Sequence, residues 1–241
     1  MRSSDRAGLL VLAAGVVLAP ACMDTHRQAT CPVPPGVPVP KSCAAGTHPS
    51  DDGLIDDFED GNTQLAKAGD RSGYWFASHD PNGSTIDPTP LSMSGGGAGG
   101  SQKALHVFGQ TSNATGAWGV LVGANFVGEG VYDASKYAGI SFKAKAGKEA
   151  TKTVRFKVAD VNTHPDGGVC KNCWNHFGKD VTLTTDWQEY RIPFADMKQE
   201  AGWGEPYPMI TTSKVIAVNW SVGPNRAFDL WIDDVQFFEC N

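Results

Sequence analysis

Two acidic clusters stand near the ends of the folded part of the chain: IDDFEDGN over residues 55–62 and WIDDVQF over residues 231–237. Each sets carboxylates beside large apolar residues, the pattern of a strand end whose acids point into one place. If the first and last strands lie side by side, Asp57, Glu59 and Asp234 are candidates for the hard oxygen ligands that calcium prefers, with Asp56 or Asp233 and backbone carbonyls completing the shell. Adjacent carboxylates repel and a divalent cation relieves that, so structural Ca2+ is the expected cofactor. It would stabilise the fold by binding the native state alone. The alternative is that these acids only solvate the ends of the domain.

A second constellation is His164-x5-Cys170-x2-Cys173-x2-His176. As a string it has the ligand types of a tetrahedral zinc site. In an oxidising compartment the same Cys-x-x-Cys pair closes instead into a tight local disulfide, the favoured reading here, which would stiffen the loop carrying Trp174, Asn175 and His176. A redox role would need a thioredoxin-like βαβ context, and the pattern shows none.

The compartment follows from the N-terminus. Arg2 and Arg6, an apolar run over residues 8–19 and Ala19-Pro20-Ala21 make residues 1–21 a signal peptide. Cys22 comes next, so the segment also resembles a lipoprotein signal with Cys22 lipidated, although Leu18 sits one place further from the cysteine than that pattern prefers. The expected location is export, as a cell-surface or outer-membrane lipoprotein or else as a secreted protein. Residues 22–50, with CPVPPGVPVPKSC, read as a proline-rich semi-rigid tether. The remaining 51–241 is within the range of one β-sandwich domain. With 20 basic and 26 acidic residues, no basic run and no second apolar span, nucleic acid is excluded as a partner, and a membrane is met only through the lipid.

Those chemical residues need strands to hold them, and the sequence is rich in strand signals. Candidates are 104–110, 118–126, 139–146, 153–160, 180–184, 188–193, 215–222 and 228–238. Several alternate with period two, such as Val154, Phe156 and Val158 against Arg155 and Lys157. Glycine-, proline- and asparagine-rich stretches separate them, notably 82–100, and short helical turns are expected at 132–136 and near 195–199. The fold class is therefore all-β, an antiparallel β-sandwich or jelly roll. Cys43 and Cys240 flank its ends and form the natural long-range bridge; a Cys31–Cys43 bridge is the alternative.

In this order, YDASKYAGISFKAKA, VRFKVADVNT, GGVCKNCWNHFGKDVTLTTDWQEYRIPF and FDLWIDDVQF resemble galactose-binding-like jelly-roll carbohydrate-binding modules. The nearest are the family 11 modules attached to bacterial cellulases. The resemblance covers residues 54–240 and implies a sheet face that binds a polysaccharide without catalysis, here a β-glucan. No catalytic domain follows Asn241 in the sequence, so the module is expected to stand alone behind its signal peptide.

A glycan cleft needs aromatic rings for the apolar faces of sugars and planar polar groups for hydroxyls. The candidate rings are Tyr74, Trp75, Trp118, Trp174, Trp203 and Trp231; the candidate polar groups are Arg155, Asp160, His164 and His176. Trp187, Tyr190 and Trp220 are assigned to the core. Against an enzyme, no strand carries alternating Glu and Asp of the glycanase kind, and there is neither a G-x-S-x-G elbow nor an H-E-x-x-H helix. A structural or adhesion domain without sugar binding is the alternative function, with a polysaccharide hydrolase or lyase behind it.

Overall fold

A computed structural model describes Gly36 and residues 38–241. The segment read as a signal peptide, Cys22 and Cys31 lie outside the described residues. Eleven strands form two antiparallel sheets. The first joins β3 (Met93–Gly95), β4 (Lys103–Gln110), β11 (Ala227–Cys240), β6 (Gly139–Ala146) and β9 (Gln188–Pro193) in that order, with β1 (Thr47–Asp56) also on β11. The second runs β2 (Trp75–His79), β5 (Val120–Asn125), β10 (Val215–Val222), β7 (Thr153–Asp160) and β8 (Phe177–Thr182).

The alternation read from the sequence sets the faces. Val154, Phe156 and Val158 of β7 are buried between the sheets, as are Val218, Trp220 and Val222 of β10. The centre of the core is aromatic: Trp220 packs edge-on against Phe142 at 5.0 Å and stacks on Trp75 at 5.9 Å. Towards the other end Phe237 stacks on Tyr137 at 4.3 Å and packs against Phe126. Each such burial is worth about 1.5–3 kcal/mol. β11 is long enough to serve two partners along one edge. Its first half pairs with β4 and its second with β1, and a register shift between Asp233 and Gln236 separates its two runs of pairing with β6.

Three expectations change. β1 begins at Thr47, inside the stretch read as tether, and Cys43 is bonded to Cys240, so the fold starts earlier than residue 51. The polar string THPSDDG hides this strand, because β11 supplies its partner and no apolar alternation is needed. Trp75 is a core residue, 3% exposed, and its indole N–H donates to the buried Asp56 at 2.7 Å. Trp187 is not in the core but on the outer face of the six-stranded sheet, whereas Tyr190 packs against the core and Trp220 is within it. The expected turn at 132–136 is present without a helix; its Tyr132 bridges Val215.

Candidate ligand-binding face

Outward residues of the five-stranded sheet fall into cross-strand rows set by register. Phe76, Gly123, Asn219, Lys157 and Gly178 make one row; Ser78, Leu121, Ser221, Arg155 and Asp180 make the next. Lys198 pairs with Gly178 through two backbone hydrogen bonds of 2.9 Å and so extends the sheet beyond β8. Arg155 donates to Asp180 Oδ1 and to the Lys198 carbonyl, which leaves its buried Nε without an acceptor; Glu200 lies 3.9 Å from that atom. Burial lowers the pKa of Lys157, partly offset by the charge of Glu200, and no hydrogen bond contributes. Gly178 makes this crowding possible. A Cβ there would lie 3.0 Å from Lys157 Cγ and 3.1 Å from Arg155 Nε.

Two loops rise beside this face. In the first, Cys170 and Cys173 are bonded, so their sulfurs are not thiolate ligands and the zinc reading falls. Trp174 follows at φ 80°, its N–H donating to the Thr163 carbonyl, and its ring is 58% exposed. In the second loop Trp203 is 46% exposed. Asn175 ties the loops together, its side-chain amide donating to the carbonyls of Glu200 and Trp203 while its Oδ1 accepts from the Glu200 N–H. Between the two tryptophans lies a depression of about 590 Å³, floored by Pro165, Lys171, Asn172, Cys173 and Gly204. His164 and His176 stack at 5.8 Å under Trp174, which meets both rings edge-on.

The predicted sugar-binding residues divide accordingly. Arg155, His164, Trp174 and His176 gather at this end of the face. Tyr74 is exposed in the row of Asn125 and Ala217 at the opposite edge, roughly 19 Å across four strand spacings. Trp118 is exposed in the loop that enters β5, at the other end of that strand. Asp160 is fully buried and accepts from Thr163 Oγ1, Asn162 and the Thr211 N–H, so it organises the loop instead of facing a ligand. Residue type alone does not mark Lys157, Asn219, Gly178 and Glu200 as site residues. For Lys157 and Asn219 the available signal was outward parity on strands whose alternate residues are apolar, and for Gly178 it was a glycine inside a strand.

The outer face of the six-stranded sheet is also aromatic, and apart from Phe108, which is 45% exposed beside His106, its rings are engaged with one another. Trp231 stacks on His106 at 3.7 Å, Lys145 sits 4.7 Å from its ring and 4.8 Å from that of Trp187, and Asp229 Oδ1 accepts from the Trp231 indole and contacts His106 Nε2. Trp231 thus has its ring and its indole N–H engaged from within the protein. The acidic clusters are similarly occupied. Glu59 Oε1 accepts from Ser101 Oγ and the N–H groups of Gln102 and Lys103, Asp57 Oδ1 accepts from the Glu59 N–H, and Asp234 pairs with Lys143 at 2.6 Å. Lys103 Nζ donates to the Glu59 carbonyl. Of the three predicted ligands only Asp234 is paired with an ammonium, and among the described residues no three His, Cys, Asp or Glu side chains are grouped to hold a metal.

No curated protein matches the chain. Solved structures do: a family 11 carbohydrate-binding module of the cellulosomal cellulase Lic26A-Cel5E of Clostridium thermocellum matches with a TM-score of 0.52 at 15% identity, over 80% of this chain and 95% of that one. A family 11 module from Clostridium thermocellum in complex with a β-1,3-1,4-mixed-linked tetrasaccharide matches with a TM-score of 0.52 at 15% identity, over 79% and 98%. At such identity these likenesses show the jelly-roll sandwich alone. The sequence itself matches the model of carbohydrate binding domain 30 over residues 68–239, most of the chain. The chain therefore belongs to the carbohydrate binding domain 30 family, and is a non-catalytic carbohydrate-binding module.

Proposed function

We propose that the module binds a β-glucan chain across the outer face of the five-stranded sheet, at the end bearing Trp174 and Trp203, and that it does so outside the cell from a lipid on Cys22. The observation that carries the site is the pair of exposed tryptophans on two tied loops, next to a sheet floor whose cationic and amide groups have spare hydrogen-bonding capacity. Indole faces take the apolar faces of pyranose rings, and directed donors fix orientation. The glucan reading is supported by the tetrasaccharide bound to the family 11 module of like fold. Export is supported by two disulfides among the described residues, a bond type that persists in an oxidising compartment.

Affinity electrophoresis in mixed-linked glucan, xylan and mannan tests the ligand. Retardation by the glucan, lost in Trp174→Ala and Trp203→Ala, is expected. Unretarded migration in every polymer would favour a structural or adhesion domain. Mass spectrometry of the mature N-terminus, with Cys22→Ser released from membranes, tests the anchor.

A further inference from the structure

The two stacked histidines under Trp174 have complementary hydrogen-bonding states fixed by their surroundings. Three N–H donors, from Asn162 (backbone and side chain) and the Thr211 backbone, converge on the Asp160 carboxylate, so that group acts as an acceptor. The Thr163 hydroxyl donates its single proton to Asp160 Oδ1 at 3.0 Å and accepts the Asp160 N–H. What remains on Thr163 Oγ1 is a lone pair, and His176 Nδ1 lies 3.0 Å from it. His176 must therefore carry its proton on Nδ1 and present Nε2 as an acceptor. His164 is fixed the other way. It caps the short 3-10 turn Pro165–Gly167, with Nδ1 accepting the Asp166 N–H at 3.2 Å, so its proton is on Nε2.

We propose that His164 and His176 are a donor–acceptor pair of opposite neutral tautomers that reads the hydroxyls of the sugar stacked on Trp174. The inference rests on the glycan-binding reading given above. A sugar hydroxyl both gives and takes a hydrogen bond, so a matched donor and acceptor satisfy it where a single cation cannot. Burial lowers the pKa of both rings, that of His176 to about 3 with the neighbouring His164 and Lys157 adding to the effect, and that of His164 against the opposing charge of Asp166. The charged groups around the pair are Asp166 on the His164 side, and Lys157, with Arg155 and Glu200 beyond it, on the His176 side. His176 is 6% exposed, and its Nε2 has no partner among the described residues, nor is it one of the orphaned buried atoms. It opens onto solvent and would meet a ligand there. Thr163 and Asp160 are positioning residues, acting only through the ring they orient.

The test joins spectroscopy to binding. Long-range proton–nitrogen spectra of the intact domain at neutral pH are expected to show His176 protonated on Nδ1 and His164 on Nε2. Affinity for a mixed-linked glucan is expected to fall at least tenfold in His176→Phe, to stay within about threefold in His176→Gln, whose side-chain oxygen restores an acceptor, and to fall in Thr163→Val together with a shifted tautomer. A proton on His176 Nε2, or a charged ring at neutral pH, overturns the pairing without variants being needed. Undiminished glucan binding by folded His176→Phe also overturns it while leaving the glycan-binding function standing. A parent domain that binds no polysaccharide removes both.

Discussion

The two outer faces of the sandwich carry similar residues and opposite prospects. On the six-stranded sheet, Trp187, Lys145, Trp231 and His106 form a ladder in which the cation lies against two indoles and Asp229 serves its neighbours. On the five-stranded sheet, Arg155, Lys157 and His176 are crowded together with hydrogen-bonding capacity left over, and two indoles stand clear of the protein. Aromatic content alone does not mark a sugar site. What distinguishes the second face is incompleteness, since desolvated polar groups without partners cost free energy that a hydroxyl-rich ligand can return.

The sharpest way to break this contrast is to remove the exposed indoles. Trp174→Ala combined with Trp203→Ala should weaken glycan binding by at least a hundredfold, about 2.7 kcal/mol, with a melting midpoint close to that of the parent. Lys157→Met should cost about tenfold in affinity while leaving stability equal or higher, because a poorly solvated ammonium is replaced by an apolar stem. Trp231→Ala should do the reverse: no change in affinity, but a loss of about 1–3 kcal/mol in denaturant unfolding as the His106 and Lys145 contacts go. Acid should separate the faces further. The folded pKa of His176, about 3, lies below the ordinary 6.5. The unfolded chain therefore takes up a proton that the folded one refuses, and stability falls as pH drops from 6.5 towards 3. His176→Gln should flatten that limb of a pH–stability curve. Asp56 acts oppositely: its pKa, pushed up to about 6 by burial, takes stability away as pH rises from 3.8 through 6. Chelation should have the smallest effect, none on the melting midpoint, because Lys143 pairs with Asp234 and Glu59 Oε1 already accepts from Ser101 and two backbone N–H groups; a clear fall would place calcium at the acidic clusters.

Much of the fold was legible because it follows from period-two patterning. β6, β7, β9 and β10 run over the predicted residues, and β11 extends a little past its prediction at each end. β1, β2 and β3 were not legible. β1 is polar and borrows its order from β11 and the Cys43–Cys240 bond, which closes nearly the whole domain and contributes on the order of 5 kcal/mol in the chain-entropy model. β2 and β3 are short, and ladder pairing with β5 and β4 holds them. The site was half legible. Rings next to polar groups flagged Trp174, His164, His176 and Arg155, but type and spacing could not show which side chains are already satisfied. Trp75 and Trp231 look like platforms in sequence and are engaged in structure, one by the core and Asp56, the other by His106 and Lys145. The partners of the acidic clusters were hidden for the same reason: Lys103 and Lys143, distant in sequence, meet them only after the strands pair.

The claim that the five-stranded face binds glycan is tested most directly by titrating a mixed-linked gluco-oligosaccharide into isotope-labelled domain and following backbone and indole resonances. The shifts should gather on Arg155, Lys157, Trp174, His176, Trp203 and Asn219. Shifts gathered instead on His106, Lys145, Trp187 and Trp231 would contradict it.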